Sequence, residues 1–95
     1  MEKIIWSNRS KKALFIIWKF YSEKNVSAAD KMIKGIIETV ENISFPEQYQ
    51  KEEMLEKKYC RAVYRHYKII YSVDEDILKV LQVFDTRQDP QKINS

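Results

Sequence analysis

The chain has 95 residues, 44% hydrophobic and 33% charged, with 17 Lys and Arg against 14 Asp and Glu for a net charge of +3. That bounds it to one domain with a single modest core, and +3 is too small a total to argue by itself for nucleic acid. A single cysteine (Cys60) and a single histidine (His66) exclude an intrachain disulfide and the usual four-ligand zinc site.

The lone cysteine fits a reducing, cytoplasmic home, and no metal or cofactor is implied. The first long apolar run, Ala13–Trp18, has six residues, too few to span a bilayer or form a signal-peptide core, so no membrane partner is expected.

Lys3–Trp6 predicts a short edge strand, and Ser7 supplies a helix N-cap. Leu14, Ile17, Trp18 and Tyr21 recur at i, i+3, i+4, i+7, predicting a helix over 8–24 with Arg9, Lys12, Lys19 and Glu23 on its outer face. Asn25-Val26 breaks the chain and Ser27 caps a second helix. Its apolar positions are Ala29, Met32, Ile33, Ile36, Ile37, Val40 and Ile43, the cleanest helical period present. Gly35, the only glycine, sits inside that helix, where it costs about 1 kcal/mol relative to Ala. A bare Cα there admits another backbone at close range. With two residues between them, the helices form an antiparallel hairpin.

Phe45-Pro46 stops the second helix. The polar stretch 47–56 reads as loop or a short irregular helical turn. Three strands follow, Tyr59–Arg65, Tyr67–Val73 and Ile77–Phe84, rich in aromatic and β-branched residues. The turns fall at Arg65-His66 and Asp74–Asp76. Neither contains glycine, which argues against ideal two-residue hairpin loops. From Thr86 onward the chain is polar, holds Pro90 and frays.

The predicted fold class is α+β, in the order β-α-α-β-β-β. A helical hairpin packs on one face of a small, twisted, mainly antiparallel sheet, within one domain spanning 1–95 whose tail is 86–95. The other sheet face stays partly open.

Charge is segregated along this chain. Lys57, Lys58, Arg61, Arg65 and Lys68 run without an acid, between Glu47, Glu52, Glu53 and Glu56 upstream and Asp74, Glu75 and Asp76 downstream. A basic, tyrosine-bearing strand of this kind suits an anionic or acidic partner. Tyr67 and Tyr71 point to the same side of their strand. They are core if that side meets the helices, or a platform beside Arg61 and Arg65 if it is open. Trp6 and Trp18 are assigned to the core, Cys60 to buried filler, and Arg9, Lys11 and Lys12 to a solvated helix face.

The order of these elements, with Ala28-Ala29-Asp30 opening the second helix, Tyr67-Lys68-Ile69-Ile70-Tyr71, Val83-Phe84-Asp85-Thr86-Arg87 and Asp89-Pro90, resembles the RelE/ParE toxin superfamily over nearly the whole chain. These are the toxins of type II toxin–antitoxin modules, also called plasmid stabilisation proteins, and their helical hairpin on a twisted sheet agrees with the fold read above. The resemblance implies one of two activities. RelE-like members cleave mRNA on the ribosome with a Lys/Arg cluster and a C-terminal tyrosine, or His and Glu in some branches. ParE-like members inhibit DNA gyrase.

A nuclease here would draw on Arg61, Arg65, His66 and Arg87, with Lys57 and Lys58 as further cations. The cations would stabilise phosphorane charge, and His66 would act as acid or base. The family's C-terminal tyrosine is missing, since nothing after Phe84 is Tyr or His. A gyrase inhibitor needs only a binding surface, for which the candidates are Lys57, Lys58, Arg61, Arg65, Lys68, Tyr71 and Arg87. The plainer readings are a solvated turn His66, and an Arg87 that pairs with an aspartate flanking the last strand, a contact contributing on the order of 0–1 kcal/mol.

Gyrase inhibition is the preferred activity. The alternatives are the mRNA nuclease and a degenerate, non-toxic protein of the same fold. The resemblance also implies a cognate antitoxin as partner, with operator DNA bound only through it. Its amphipathic helix would lie on the helical hairpin, and its acidic extension over the bases of 57–68.

Overall fold

The computed structural model describes residues 3–43, 50–51 and 59–87. Two helices, α1 (Asn8–Ser22) and α2 (Val26–Glu41), lie against a five-stranded sheet. The strands are β1 (Lys3–Trp6), β2 (Gln50–Lys51), β3 (Tyr59–Tyr64), β4 (Tyr67–Asp74) and β5 (Ile77–Asp85), in spatial order β1-β5-β4-β3-β2. Only β1–β5 is parallel; the other three pairings are antiparallel. The predicted architecture therefore holds, with β1 at an edge. The two-residue β2 is an addition: it pairs Gln50 with Arg61 and Lys51 with Cys60, inside a stretch read as loop or helical turn. Phe45-Pro46 lies outside the described residues.

The ends of α1 and α2 follow from side-chain caps. Ser7 Oγ accepts the Ser10 N–H at 3.0 Å and donates to the Leu81 carbonyl at 2.9 Å, so one residue caps α1 and ties it to β5. Leu81 is the extra residue of a β-bulge, because Ile70 pairs with Gln82 while Tyr71 pairs with Val80. At α2 the cap is Asn25, whose side chain accepts the Ala28 N–H at 3.1 Å, rather than Ser27. Asn25 is extended (φ −163°), the backbone shape a cap requires, whereas Ser27 already lies inside the helix. Three residues, not two, thus link the helices.

Both β-hairpins also depart from expectation. Tyr64 pairs with Tyr67 and Asp74 with Ile77, which makes Arg65-His66 and Glu75-Asp76 two-residue loops despite the lack of glycine. Arg65 (φ 54°) and Glu75 (φ 56°) take the left-handed conformation that the first loop position demands.

Register and burial define two sheet faces. Toward the helices point Ile4, Trp6, Cys60, Ala62, Tyr64, Tyr67, Ile69, Tyr71, Leu78, Val80 and Val83, packing with Ile17, Ile36, Val40 and Ile43. Tyr67 and Tyr71 are core, and Tyr71 has no exposed surface. Trp6 packs against this core, but Trp18 does not: it stands at the α1–α2 seam, where its indole N–H donates to Asp30 at 2.9 Å. By strand alternation the opposite face carries Tyr59, Arg61, Val63, Lys68, Ile70, Lys79 and Phe84.

Candidate functional site

Four elements converge where β5 ends. Tyr21 comes from the last turn of α1, His66 from the β3–β4 loop, Tyr67 from the start of β4, and Asp85 and Arg87 from the close of β5. Loop tightness drives this placement. A two-residue turn leaves His66 directly before Tyr67, and their rings tilt together with centroids 4.3 Å apart. Thr86 then clamps the β5 exit to the same loop, its N–H and its hydroxyl both donating to the His66 carbonyl at 2.8 Å. The tail expected to fray from Thr86 is anchored at least through Arg87.

Tyr21 is the hub. Its hydroxyl lies 3.2 Å from His66 Nε2 and accepts the Tyr67 hydroxyl at 3.4 Å, and it is near enough to the Arg87 side chain to favour its charge. Arg87 Nε stands 3.5 Å from Asp85 Oδ1, and the same carboxylate oxygen accepts the Arg87 N–H at 2.9 Å.

Electrostatics follow these contacts. Burial pushes the Tyr67 phenol well above its ordinary value, and its hydrogen bond to Tyr21 and the nearby Asp85 charge push the same way. Tyr67 is therefore a neutral donor. Desolvation opposes the Arg87 charge, but Asp85 and then Tyr21 outweigh it and raise its pKa.

The sequence candidates divide. His66 and Arg87 are brought together, through Tyr21. His66 is half-buried and hydrogen-bonded, not merely solvated, and Arg87 pairs with Asp85. Arg65 projects from the loop with its guanidinium 5.7 Å from the centre of the Tyr64 ring. Arg61 stands on the far sheet face, four β3 positions or about 13 Å along the strand from Arg65. Lys68 shares that face. Tyr71, a binding candidate, is sealed in the core and offers a partner nothing. Lys57 and Lys58 lie outside the described residues, as does Asp89.

Tyr21 escaped the sequence reading because its i+7 spacing from Leu14 marks it only as an apolar-face residue. Among the described residues no group of three or more His, Cys, Asp and Glu side chains forms a metal site, and no helix is long and apolar enough to cross a membrane.

This fold is shared with solved toxin structures. The chromosomal ParDE toxin–antitoxin system from P. aeruginosa matches with a TM-score of 0.75 at 15% identity, over 92% of this chain and 98% of that one. The YoeB dimer from Staphylococcus aureus matches at 0.58 and 17% identity, over 84% and 91%. YafQ from E. coli strain BL21(DE3) matches at 0.51 and 14% identity, over 86% and 90%. No curated protein is similar enough in sequence to count as a match. The model of the ParE toxin family of type II toxin–antitoxin systems, parDE, fits residues 4–90, and the chain belongs to that family.

Proposed function

We propose that this toxin arrests growth by inhibiting DNA gyrase and is held inactive by a cognate antitoxin. Family membership over residues 4–90 is the observation that carries the reading. The antitoxin half is supported by the similar folds solved as the ParDE system and as the YoeB-YefM complex. The gyrase half gains from the division of the candidate nuclease residues. Strand alternation puts Arg61 on the open sheet face while His66 and Arg87 lie near Tyr21 on the helix side, a spread that suits a binding surface better than one phosphate-cleaving cluster. The surface offered to the target is the open sheet face, through Arg61 and Lys68, continued around the β3–β4 loop by Arg65.

The test is a supercoiling assay with purified gyrase and no ribosome, alongside pulse labelling of DNA and protein synthesis after brief induction. Supercoiling should fall and DNA synthesis should fail first. Gyrase untouched by a stoichiometric excess of toxin would end this reading.

One observation favours the nuclease alternative. Tyr21 supplies, from α1, a tyrosine beside Arg87 and His66 of the kind missing from the C-terminus. On that reading Tyr21→Phe and Arg87→Ala each abolish ribosome-dependent mRNA cleavage while the protein stays folded. Cleavage that survives both removes the alternative.

A further inference from the structure

Charge is divided unevenly between the two sheet faces. The open face and its rim toward the β3–β4 loop carry Arg9, Arg61, Arg65, Lys68 and Lys79, which come from α1, β3, that loop, β4 and β5. Lys68 is half-buried and the other four are exposed. Arg9 reaches this face from α1 by donating to the Gln82 side-chain oxygen at 3.4 Å, and Gln82 shares a cross-strand row with Ile70 and Arg61.

Among the described residues no acid stands between these bases. Asp85 lies near Tyr67 on the helix side, and Asp74, Glu75 and Asp76 gather at the opposite end of the sheet, in and beside the β4–β5 loop. The five bases outweigh the chain's whole net charge of +3, so the rest of the molecule is net acidic.

Spacing and composition suit a rigid polyanion. Arg61 and Lys68 sit on adjacent strands two positions out of register, about 8 Å apart at the backbone, and Lys79 lies two strands from Arg61, about 12 Å away. The patch has little apolar surface to offer. Ile70 at its middle is 4% exposed, and Val63, at 60%, is its one well-exposed apolar side chain among the described residues. A protein partner is held by an apolar centre with a polar rim. Spread cations without such a centre are instead what phosphate-backbone binding requires, since it draws on charge and not on shaped pockets.

We propose that the open sheet face binds the phosphate backbone of duplex DNA directly, without regard to base sequence. Duplex DNA is preferred to other polyanions because gyrase holds it beside the bound toxin, a choice that rests on the gyrase reading above. The family resemblance implies DNA contact only through the antitoxin. This face gives the toxin a contact of its own and leaves the helical hairpin to the antitoxin.

Fluorescence anisotropy of the purified full chain with a labelled duplex of about 20 base pairs, in the absence of gyrase, tests it. The expected Kd is on the order of 10⁻⁶–10⁻⁴ M near physiological salt, the range of non-specific binding. With four or five phosphates neutralised, affinity should fall about 100–500-fold between roughly 50 and 200 mM salt. Arg61→Gln and Lys79→Gln should each weaken binding about 5–10-fold and make the log–log salt slope shallower by about 1. Lys12→Gln and Lys34→Gln remove the same charge from the helical hairpin and should change Kd by under about 2-fold. All four positions are exposed, and circular dichroism checks each variant's fold.

Absence of DNA binding at low salt overturns the proposal. Equal losses from sheet and hairpin variants overturn it too, as does tighter binding to single- or double-stranded RNA of the same length. The supercoiling assay is read separately. Gyrase inhibition by a toxin that ignores DNA removes the DNA contact and spares the gyrase reading, while DNA binding without inhibition does the reverse.

Discussion

Gly35 and Tyr64 are in direct contact: the Tyr64 ring fills the space a β-carbon on Gly35 would take, with its outer ring carbons and hydroxyl overlapping that position. The glycine thus seats β3 against α2, and the group that approaches is a side chain rather than a backbone. The two effects of Gly35→Ala oppose each other. Alanine favours the helix by about 1 kcal/mol, but it must displace a half-buried ring whose packing is worth more, on the order of 1–3 kcal/mol. Gly35→Ala should therefore lower stability by up to about 2 kcal/mol net in urea unfolding. In a Tyr64→Val background the obstruction is gone, and the same substitution should stabilise by up to about 1 kcal/mol. An unchanged sign in the two backgrounds would show that the contact does not govern the glycine.

Tyr67 makes the hub at the end of β5 sensitive to alkali. Its folded pKa lies above the ordinary value of 10.0, chiefly from burial and then from Tyr21. A raised folded pKa means that the native state holds its proton more tightly than the unfolded chain. The resulting stability is complete below about pH 10 and is lost as pH climbs toward the folded pKa. Denaturant midpoints measured from pH 8 to 11 should fall at the top of that range in the wild type. Tyr67→Phe, which has no proton to lose, should fall less steeply there while starting lower, because Tyr21 loses a hydrogen-bond donor.

The cap of α2 separates two neighbouring polar residues by function. Asn25→Ala removes the acceptor for the Ala28 N–H and should cost about 1 kcal/mol in thermal or urea unfolding. Ser27→Ala, inside the first turn and exposed, should change stability by under about 0.5 kcal/mol. A larger loss at Ser27 than at Asn25 would contradict the observed cap.

Periodicity carried the sequence reading further in some places than in others. The α2 pattern from Ala29 to Val40 and the alternation of Tyr67, Ile69 and Tyr71 sufficed for both helices, three strands and most of the core, because burial imposes those spacings directly. A cap is decided by one residue's φ and ψ, so Asn25 and Ser27 looked equivalent. The pairing of Gln50 with Arg61 is long-range and two residues long, which leaves no period to read. The site was legible in its charged members. His66 and Arg87 stood out by type, whereas Tyr21 acquires its role only when α1 is laid across the end of β5. Arg61 was grouped with His66 by closeness in sequence, and strand alternation sends it to the other face.

Arg65 occupies a backbone position that glycine would fill with less strain. A left-handed conformation costs a non-glycine residue roughly 1 kcal/mol, and both hairpin loops bear that cost, at Arg65 and at Glu75. Glu75→Gly should therefore raise Tm by a few degrees, about 4–8 °C per kcal/mol for a domain of this size. Arg65→Gly should stabilise less, because it also gives up the guanidinium–ring contact with Tyr64. The informative readout is the difference in activity. If Arg65 belongs to the target surface, Arg65→Gly yields a protein at least as stable as wild type that inhibits its target poorly, while Glu75→Gly is more stable and fully active. Such a split would mean that strain is retained at Arg65 for binding. Full inhibition by Arg65→Gly would instead withdraw the loop from the target surface and leave the open sheet face, with Arg61 and Lys68, to account for recognition alone.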